Sequence, residues 1–153
     1  MERIILNEES MLEFGSDFAT AIEDPNLTIY LHGVLGAGKT TFARGFLRGL
    51  GVKGKVKSPT YTIVEPYVVD TSTVYHFDLY RLSDALELEF IGLDDYFGEN
   101  TIQLIEWPEK GRGILPNADM ECYLEIMEDK RKVKLVANSN KGKKLLESLN
   151  YEK

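Results

Sequence analysis

Gly33-Val34-Leu35-Gly36-Ala37-Gly38-Lys39-Thr40 has the pattern G-x-x-x-x-G-K-[ST]. An apolar run, Leu27-Thr28-Ile29-Tyr30-Leu31, leads into it, and a helical pattern leads out. A strand, a glycine-rich turn and a helix in that order form the context in which this pattern, the P-loop, grips nucleotide phosphates. The glycines let the backbone curl so that several N–H groups face one anion. Lys39 adds a point charge near the β- and γ-phosphates, and the Thr40 hydroxyl can ligate Mg²⁺. The helix that follows presents its N-terminus to the anion. A glycine-rich turn that carries Lys-Thr by coincidence seldom sits between a strand and a helix.

The rest of the chain sets the frame for that motif. Its 153 residues suit one domain, 1–153, with a full-sized core. A composition of 43% hydrophobic and 28% charged residues is that of a soluble globular protein. The longest apolar runs are strand-sized, so no membrane span is expected. Met1-Glu2-Arg3-Ile4-Ile5-Leu6 is too short, and too acidic in its flanks, for a secretory signal. The single Cys122 cannot form an internal disulfide, and its apolar-alternating surroundings read as those of a buried structural thiol. A reducing cytoplasm is the expected location. Charge is unevenly spread. Between Pro25 and Val64 there is no Asp or Glu but six basic residues, so the remainder carries −13 for a net charge of −7. A basic zone around a P-loop suits a polyanion, whereas the acidic remainder argues against stable stand-alone binding to nucleic acid. Arg44 and Arg48 also fit a solvated helix face, and Lys53, Lys55 and Lys57 an exposed edge or loop.

Periodicity places the motifs on elements. A helix is predicted over 8–23, with Met11, Leu12, Phe14, Phe18, Ala19 and Ile22 inward and Asn7 as N-cap. Residues 27–32 form a strand. Residues 39–50 form a helix with Phe42, Ala43, Phe46, Leu47 and Leu50 inward, stopped by Gly51. Residues 61–69 and 73–78 read as a hairpin turning at Asp70-Thr71-Ser72. Residues 84–97 read as one helix or two short ones broken near Gly92. Residues 101–106 are a strongly apolar strand. Residues 120–128 and 132–137 make a second hairpin around Glu128-Asp129-Lys130. A helix over 141–150, capped by Asn140, closes the chain. Early alternation of strands and helices followed by hairpins predicts an α/β fold. It is a three-layer P-loop NTPase domain with a mixed, mainly parallel sheet and hairpin additions.

A P-loop needs an acidic partner for its metal, and an acid at the end of an apolar strand supplies one. Leu104-Ile105-Glu106 and Tyr75-His76-Phe77-Asp78 both qualify. One could hold Mg²⁺ while the other orients the attacking water or couples the metal to a moving loop. Because ligands in such sheets sit beyond the carboxyl ends of the strands, the P-loop, Asp78 and Glu106 are expected at one edge. Ser58-Pro59-Thr60-Tyr61-Thr62 lies where switch-type NTPases bring a hydroxyl to the γ-phosphate, and it also reads as an ordinary strand-entry turn. His76 is expected to be a hydrogen-bonded core or rim histidine, and His32 a packing residue. Trp107 either packs near the site or lies exposed as a partner anchor. Met11 and Phe14 could border an adenine pocket, with a helix core face the safer reading.

Together these stretches resemble the TsaE family (formerly YjeE), small P-loop ATPases of bacterial tRNA threonylcarbamoyladenosine formation. The matching stretches are Leu35–Thr41, Ser58–Thr62 with Val64-Glu65, His76–Arg81, Glu87-Leu88-Glu89 and Ile105-Glu106-Trp107, in the family's order and spacing. The resemblance is close over about residues 10 to 116. It implies an ATPase that works with the TsaD–TsaB heterodimer, which places threonylcarbamoyl on N6 of the adenosine beside the anticodon. Hydrolysis is thought to reset that complex between turnovers, and tRNA is reached only through it. By resemblance, Gly33, Leu35, Gly36, Ala37, Gly38, Lys39, Thr40 and Thr41 bind ATP, and Thr40 and Glu106 ligate Mg²⁺. Asp78, Glu106, Thr60 and Lys39 serve hydrolysis, with Trp107 in the same site. One position departs from the family, which usually has Asp where Val34 stands. The phosphate-binding groups are kept, so nucleotide binding is expected to survive while hydrolysis or coupling changes.

Two other classes compete. A small-molecule kinase would need an acceptor pocket and usually an arginine-bearing lid, and arginines outside the basic segment are sparse: Arg3, Arg81, Arg112 and Arg131. An ATP-sensing binding module with little turnover is kept open by Val34. Guanine selectivity is disfavoured, because Asn140-Lys141-Gly142-Lys143 lacks the required Asp.

Overall fold

Leu27, Ile29 and Leu31 alternate along one side of a strand and are buried to 3% exposure or less. This strand anchors a seven-stranded sheet in the computed structural model, which describes residues 1–70 and 72–151. The elements in chain order are β1 (Glu2–Ile5), α1 (Glu8–Thr20), β2 (Leu27–His32), α2 (Lys39–Gly49), β3 (Val64–Val69), β4 (Ser72–Asp78), α3 (Glu87–Phe90), β5 (Thr101–Glu106), β6 (Met120–Met127), β7 (Lys130–Ala137) and α4 (Asn140–Tyr151). Short 3₁₀ turns cover Leu93–Tyr96 and Pro108–Gly111. The sheet order is β1-β7-β6-β2-β5-β4-β3. Its centre, β6-β2-β5-β4, is parallel, and antiparallel pairs finish both sides. Pro66, which cannot donate to a ladder, is exposed on the edge strand β3. Among the described residues, no helix is long and apolar enough to cross a membrane.

The sheet separates two apolar clusters. One gathers the inner faces of α1, α2 and α4 over β2, β5, β6 and β7, and it includes the buried Cys122, whose thiol burial pushes well above its ordinary pKa. The other lies under α3 and the two 3₁₀ turns, around Phe77, Leu79, Leu88 and Ile105. Helices thus lie on both faces of a mixed sheet, the three-layer arrangement expected of the pattern.

The elements depart from expectation in several places, while the 84–97 segment takes one of its two expected forms. Residues 2–5, not assigned to a strand from sequence, form β1, which adds to the sheet by pairing with β7. The strand expected from 61 starts only at Val64, because Ile63 adopts a left-handed backbone (φ 72) and its N–H bonds back to the Pro59 carbonyl. The 84–97 segment forms two short helical pieces divided at Gly92 (φ 74). Asn140 is the first residue of α4 rather than its cap. The capping hydroxyl belongs to Ser139, which accepts from the Gly142 N–H at 3.1 Å. Helix α1 ends at Thr20, three residues early, with Ala21 as its C-cap. Its expected N-cap is present: Asn7 Oδ1 accepts from Ser10 N at 2.8 Å. Thr71, at the expected β3–β4 turn, lies outside the described residues.

Helices α1 and α2 touch through their backbones. A Cβ placed on Gly45 would lie 2.2 Å from the Leu12 carbonyl oxygen, and one on Gly15 would lie 2.4 Å from that of Phe42. Around this contact Phe14, Phe18, Phe42 and Phe46 form tilted and edge-on pairs 5.4–6.4 Å apart. Because the obstructing atom is backbone, Gly45→Ala must push the helices apart. It is expected to destabilise the protein by about 1–3 kcal/mol in urea denaturation despite the better helix propensity of Ala. An unchanged midpoint would show that the helices can separate freely.

Candidate functional site

Three strands end together. Leu31 of β2 stands opposite Glu106 of β5, and Glu106 stands opposite Asp78 of β4. Side chains two residues apart share a face, so Glu106 and Asp78 project on the side of α2, beyond the apolar rows of the core. The P-loop leaves β2 at the same edge. Gly36 (φ 82) and Gly38 (φ 108) occupy backbone conformations that L side chains rarely adopt. Helix α2 begins directly behind Gly38 with no capping side chain and no acid in its first turn. Its first N–H groups and dipole therefore face the cleft.

That cleft, about 330 Å³, is lined by Leu35, Gly36, Gly38, Lys39, Thr40, Thr41, Thr60, Asp78, Tyr80, Glu106 and Trp107. Six of the eight residues expected to bind phosphate are present, together with all four expected to serve hydrolysis. Gly33 instead borders a separate hollow beside His32 and Tyr123, and Ala37 is buried in the core as the loop's inner anchor.

Lys39 is only 5% exposed. Its ammonium donates to the Gly33 carbonyl and lies 3.6 Å from the centroid of the Trp107 ring. Burial lowers its pKa, opposed by the negative charges of Glu106, Glu109 and Asp78. Trp107 is half-buried, adopts a left-handed backbone (φ 58), and packs on Tyr80 with ring centroids 5.0 Å apart. Such a conformation in a bulky residue stores strain, and strain of this kind concentrates at functional sites. Of the two readings left open for Trp107, packing near the site is the one observed.

The two carboxylates have different neighbours. Asp78 uses both oxygens: one accepts from the Tyr80 N–H at 3.0 Å, the other from the Thr60 hydroxyl at 3.3 Å. Glu106 has one oxygen 2.7 Å from His76 Nε2, and its other oxygen makes no hydrogen bond among the described residues. Thr60 also meets the Ser58 hydroxyl at 2.7 Å, while the Arg81 guanidinium lies 4.3 Å from the centroid of the exposed Tyr61 ring. The 58–62 segment thus touches the site through one hydroxyl–carboxylate hydrogen bond.

Farther out, His32 stacks on Tyr123 at 4.4 Å and meets Glu121 at 2.8 Å. Burial pushes Glu121 up, but hydrogen bonds from Asn138 and His32 hold it below its ordinary pKa. His32 packs, as expected. Met11 and Phe14 both lie on the core face of α1, as the safer reading had it, and Met11 also borders a hollow of about 210 Å³ beside Gly36, Gly38 and Thr41. Sequence reasoning missed Arg131, which reaches the Gly36 carbonyl at 3.1 Å from β7. No local signal marks a partner 95 residues away. It also gave no role to Tyr80, although the residue lies in the matching stretch His76–Arg81.

A P-loop at the end of a central parallel strand, with acids at the ends of the next two strands, makes this a P-loop protein of the α/β class. The family model described as "Threonylcarbamoyl adenosine biosynthesis protein TsaE" matches residues 5–134. The tRNA threonylcarbamoyladenosine biosynthesis protein TsaE of Haemophilus influenzae is 49% identical over 150 residues, 95% of each chain. That of Bacillus subtilis is 38% identical over 130 residues, 84% of this chain and 81% of its own. The crystal structure of Bacillus subtilis YdiB matches with a TM-score of 0.83 at 29% identity, covering 99% of this chain and 95% of that one. The chain belongs to the TsaE family.

Removing the Thr60 hydroxyl tests whether it tethers the loop. A hydrogen bond of about 1 kcal/mol corresponds to roughly fivefold in loop opening. Thr60→Ala is expected to raise chymotryptic cleavage after Tyr61 by about that factor, with the global unfolding midpoint unmoved. Equal cleavage rates would mean that the loop is held elsewhere.

Proposed function

We propose that the cleft binds ATP with Mg²⁺ and hydrolyses it, and that the chain acts in tRNA threonylcarbamoyladenosine formation, the process its relatives are named for. The observation that carries this reading is the convergence of the P-loop, Thr60, Asp78 and Glu106 on one cleft. Backbone N–H groups of the glycine-rich turn and the start of α2 take the phosphates, and Lys39 adds the point charge. Thr40 and Glu106 hold the cation. Mg²⁺ held there would supply positive charge against the negative charge that develops on phosphoryl transfer. Among the described residues, no group of three or more His, Cys, Asp or Glu could hold a metal alone. That fits a cation that shares its ligands with a phosphate.

Asp78 is the residue for the attacking water. It lies beside the Thr60 hydroxyl, so its carboxylate links the water to the 58–62 loop. Closure of that loop on the γ-phosphate excludes bulk solvent while keeping the attacking water, and loss of the phosphate frees the Thr60 contact. Such a loop can loosen or tighten a partner surface. In this reading the partner is the TsaD–TsaB pair, tRNA is reached through that complex, and the work is done in the cytoplasm.

Steady-state hydrolysis with and without TsaD–TsaB tests the proposal. Stimulation by the pair is the expected result. Asp78→Asn is expected to lower turnover by about 100-fold or more while ATP affinity stays within a few-fold. ATP binding with no turnover in either condition would favour the sensing module. Val34, 61% exposed at the crown of the P-loop, gives that second reading its one structural support. Val34→Asp would then be expected to restore turnover if the missing rim carboxylate is the cause.

A further inference from the structure

Across β2, β5 and β4 the residues facing α2 form three rows, Leu27–Ile102–Val74, Ile29–Leu104–His76 and Leu31–Glu106–Asp78. The first row is wholly apolar. In the second, the position on β4 is a histidine with no exposed surface. An aliphatic residue would fill that place without desolvating a polar ring, and Val74 does so one row below. His76 spends its polarity on a single contact, Nε2 to Glu106 Oε2 at 2.7 Å, with both side chains at 3% exposure or less. Its Nδ1 is buried without a partner among the described residues. An ionised carboxylate only accepts, so Nε2 is the nitrogen that donates.

We infer that His76 is the positioning residue that assigns the metal to Glu106 rather than to Asp78. The inference rests on the metal reading of the cleft. With Oε2 held from beneath, the Glu106 carboxylate cannot rotate, and its second oxygen is presented to the cleft. Asp78 has both oxygens occupied, by the Tyr80 N–H and by the Thr60 hydroxyl of the 58–62 segment. The two acids, both at the ends of apolar strands, are therefore divided by their neighbours. Glu106 is a fixed ligand on the rigid sheet, and Asp78 is the one coupled to the 58–62 loop. His76 touches neither nucleotide nor water, and acts only through Glu106.

The readout is the factor by which Mg²⁺ tightens ATP binding, measured as the ratio of ATP affinities in EDTA and in Mg²⁺. Binding is followed by the emission of Trp107, the only tryptophan, which lies under Lys39. His76→Leu is expected to cut this ratio about 10–100-fold, the usual effect of losing a group that orients a metal ligand, with affinity in EDTA unchanged. His76→Gln, which can still donate to Glu106, is expected to keep the wild-type ratio. In a Glu106→Gln background, His76→Leu is expected to add nothing. A folded His76→Leu protein with the wild-type ratio overturns the inference, as does a further loss in the double variant. Should His76→Leu not fold, His76→Gln is compared with His76→Asn, whose shorter amide falls short of the carboxylate; equal ratios then overturn it. If Glu106→Gln itself keeps the wild-type ratio, the metal reading of the cleft is what fails, and the inference falls with it.

Discussion

The in-register ending of three parallel strands is the constraint on which the site depends. Because side chains alternate at every residue, a slip of one position in β4 or β5 would turn Asp78 or Glu106 onto the opposite face. The register is held by the apolar rows beneath, where Leu27, Ile29, Leu104 and Val74 pack under α1 and α2. On β4 and β5 the acids come last, where the strand ends border the cleft. Apolar burial and the site are thus one pattern read from opposite ends of the same strands.

A second constraint places the P-loop helix. The nest formed by Gly36 and Gly38 has meaning only if α2 starts at a fixed distance from the strand ends. Backbone contact at Gly15 and Gly45 fixes that distance more tightly than side-chain packing could, because no rotamer change can relax it. Met11 extends the effect, since its methyl carbon sits 3.0 Å from where a Cβ on Gly38 would lie. Helix α1 therefore supports the loop from behind.

Local chemistry made much of this visible in the sequence. The P-loop, the strands 27–32 and 101–106, the Asn7 cap and the Gly51 stop all depend on neighbours within one or two turns. The meeting of the P-loop with Asp78 and Glu106 was legible because it follows from a general rule about parallel sheets. Features that depend on distant partners were not. β1 is four residues long, too short for a period, and exists because β7 offers an edge. The α1–α2 contact makes Gly15 and Gly45 necessary, yet each reads locally only as a weak point in a helix. Ser139 and Asn140 are both good capping residues, and sequence alone could not choose between neighbours. The left-handed turn at Ile63 runs against the preference of a β-branched residue, so local reasoning extended the strand through it.

Under the proposed reading, charge explains why the cleft would share a cation with its ligand. Its lining holds one basic side chain, Lys39, against Asp78 and Glu106. A polyphosphate brings several more negative charges into the same space. The start of α2 supplies roughly half a positive charge, and Arg131 is already engaged with the Gly36 carbonyl on the far side of the loop. The protein's own groups therefore leave a negative surplus once a nucleotide enters, and like charges at such short range in a partly desolvated cleft repel strongly. Under that reading, a divalent cation arriving with the phosphates reduces the surplus, and it meets the carboxylate that His76 contacts through Oε2. Under the proposed reading, nucleotide and metal are thus one ligand as far as this cleft is concerned. The acids that look unfavourable beside a phosphate would then make binding tighter with the metal than without it.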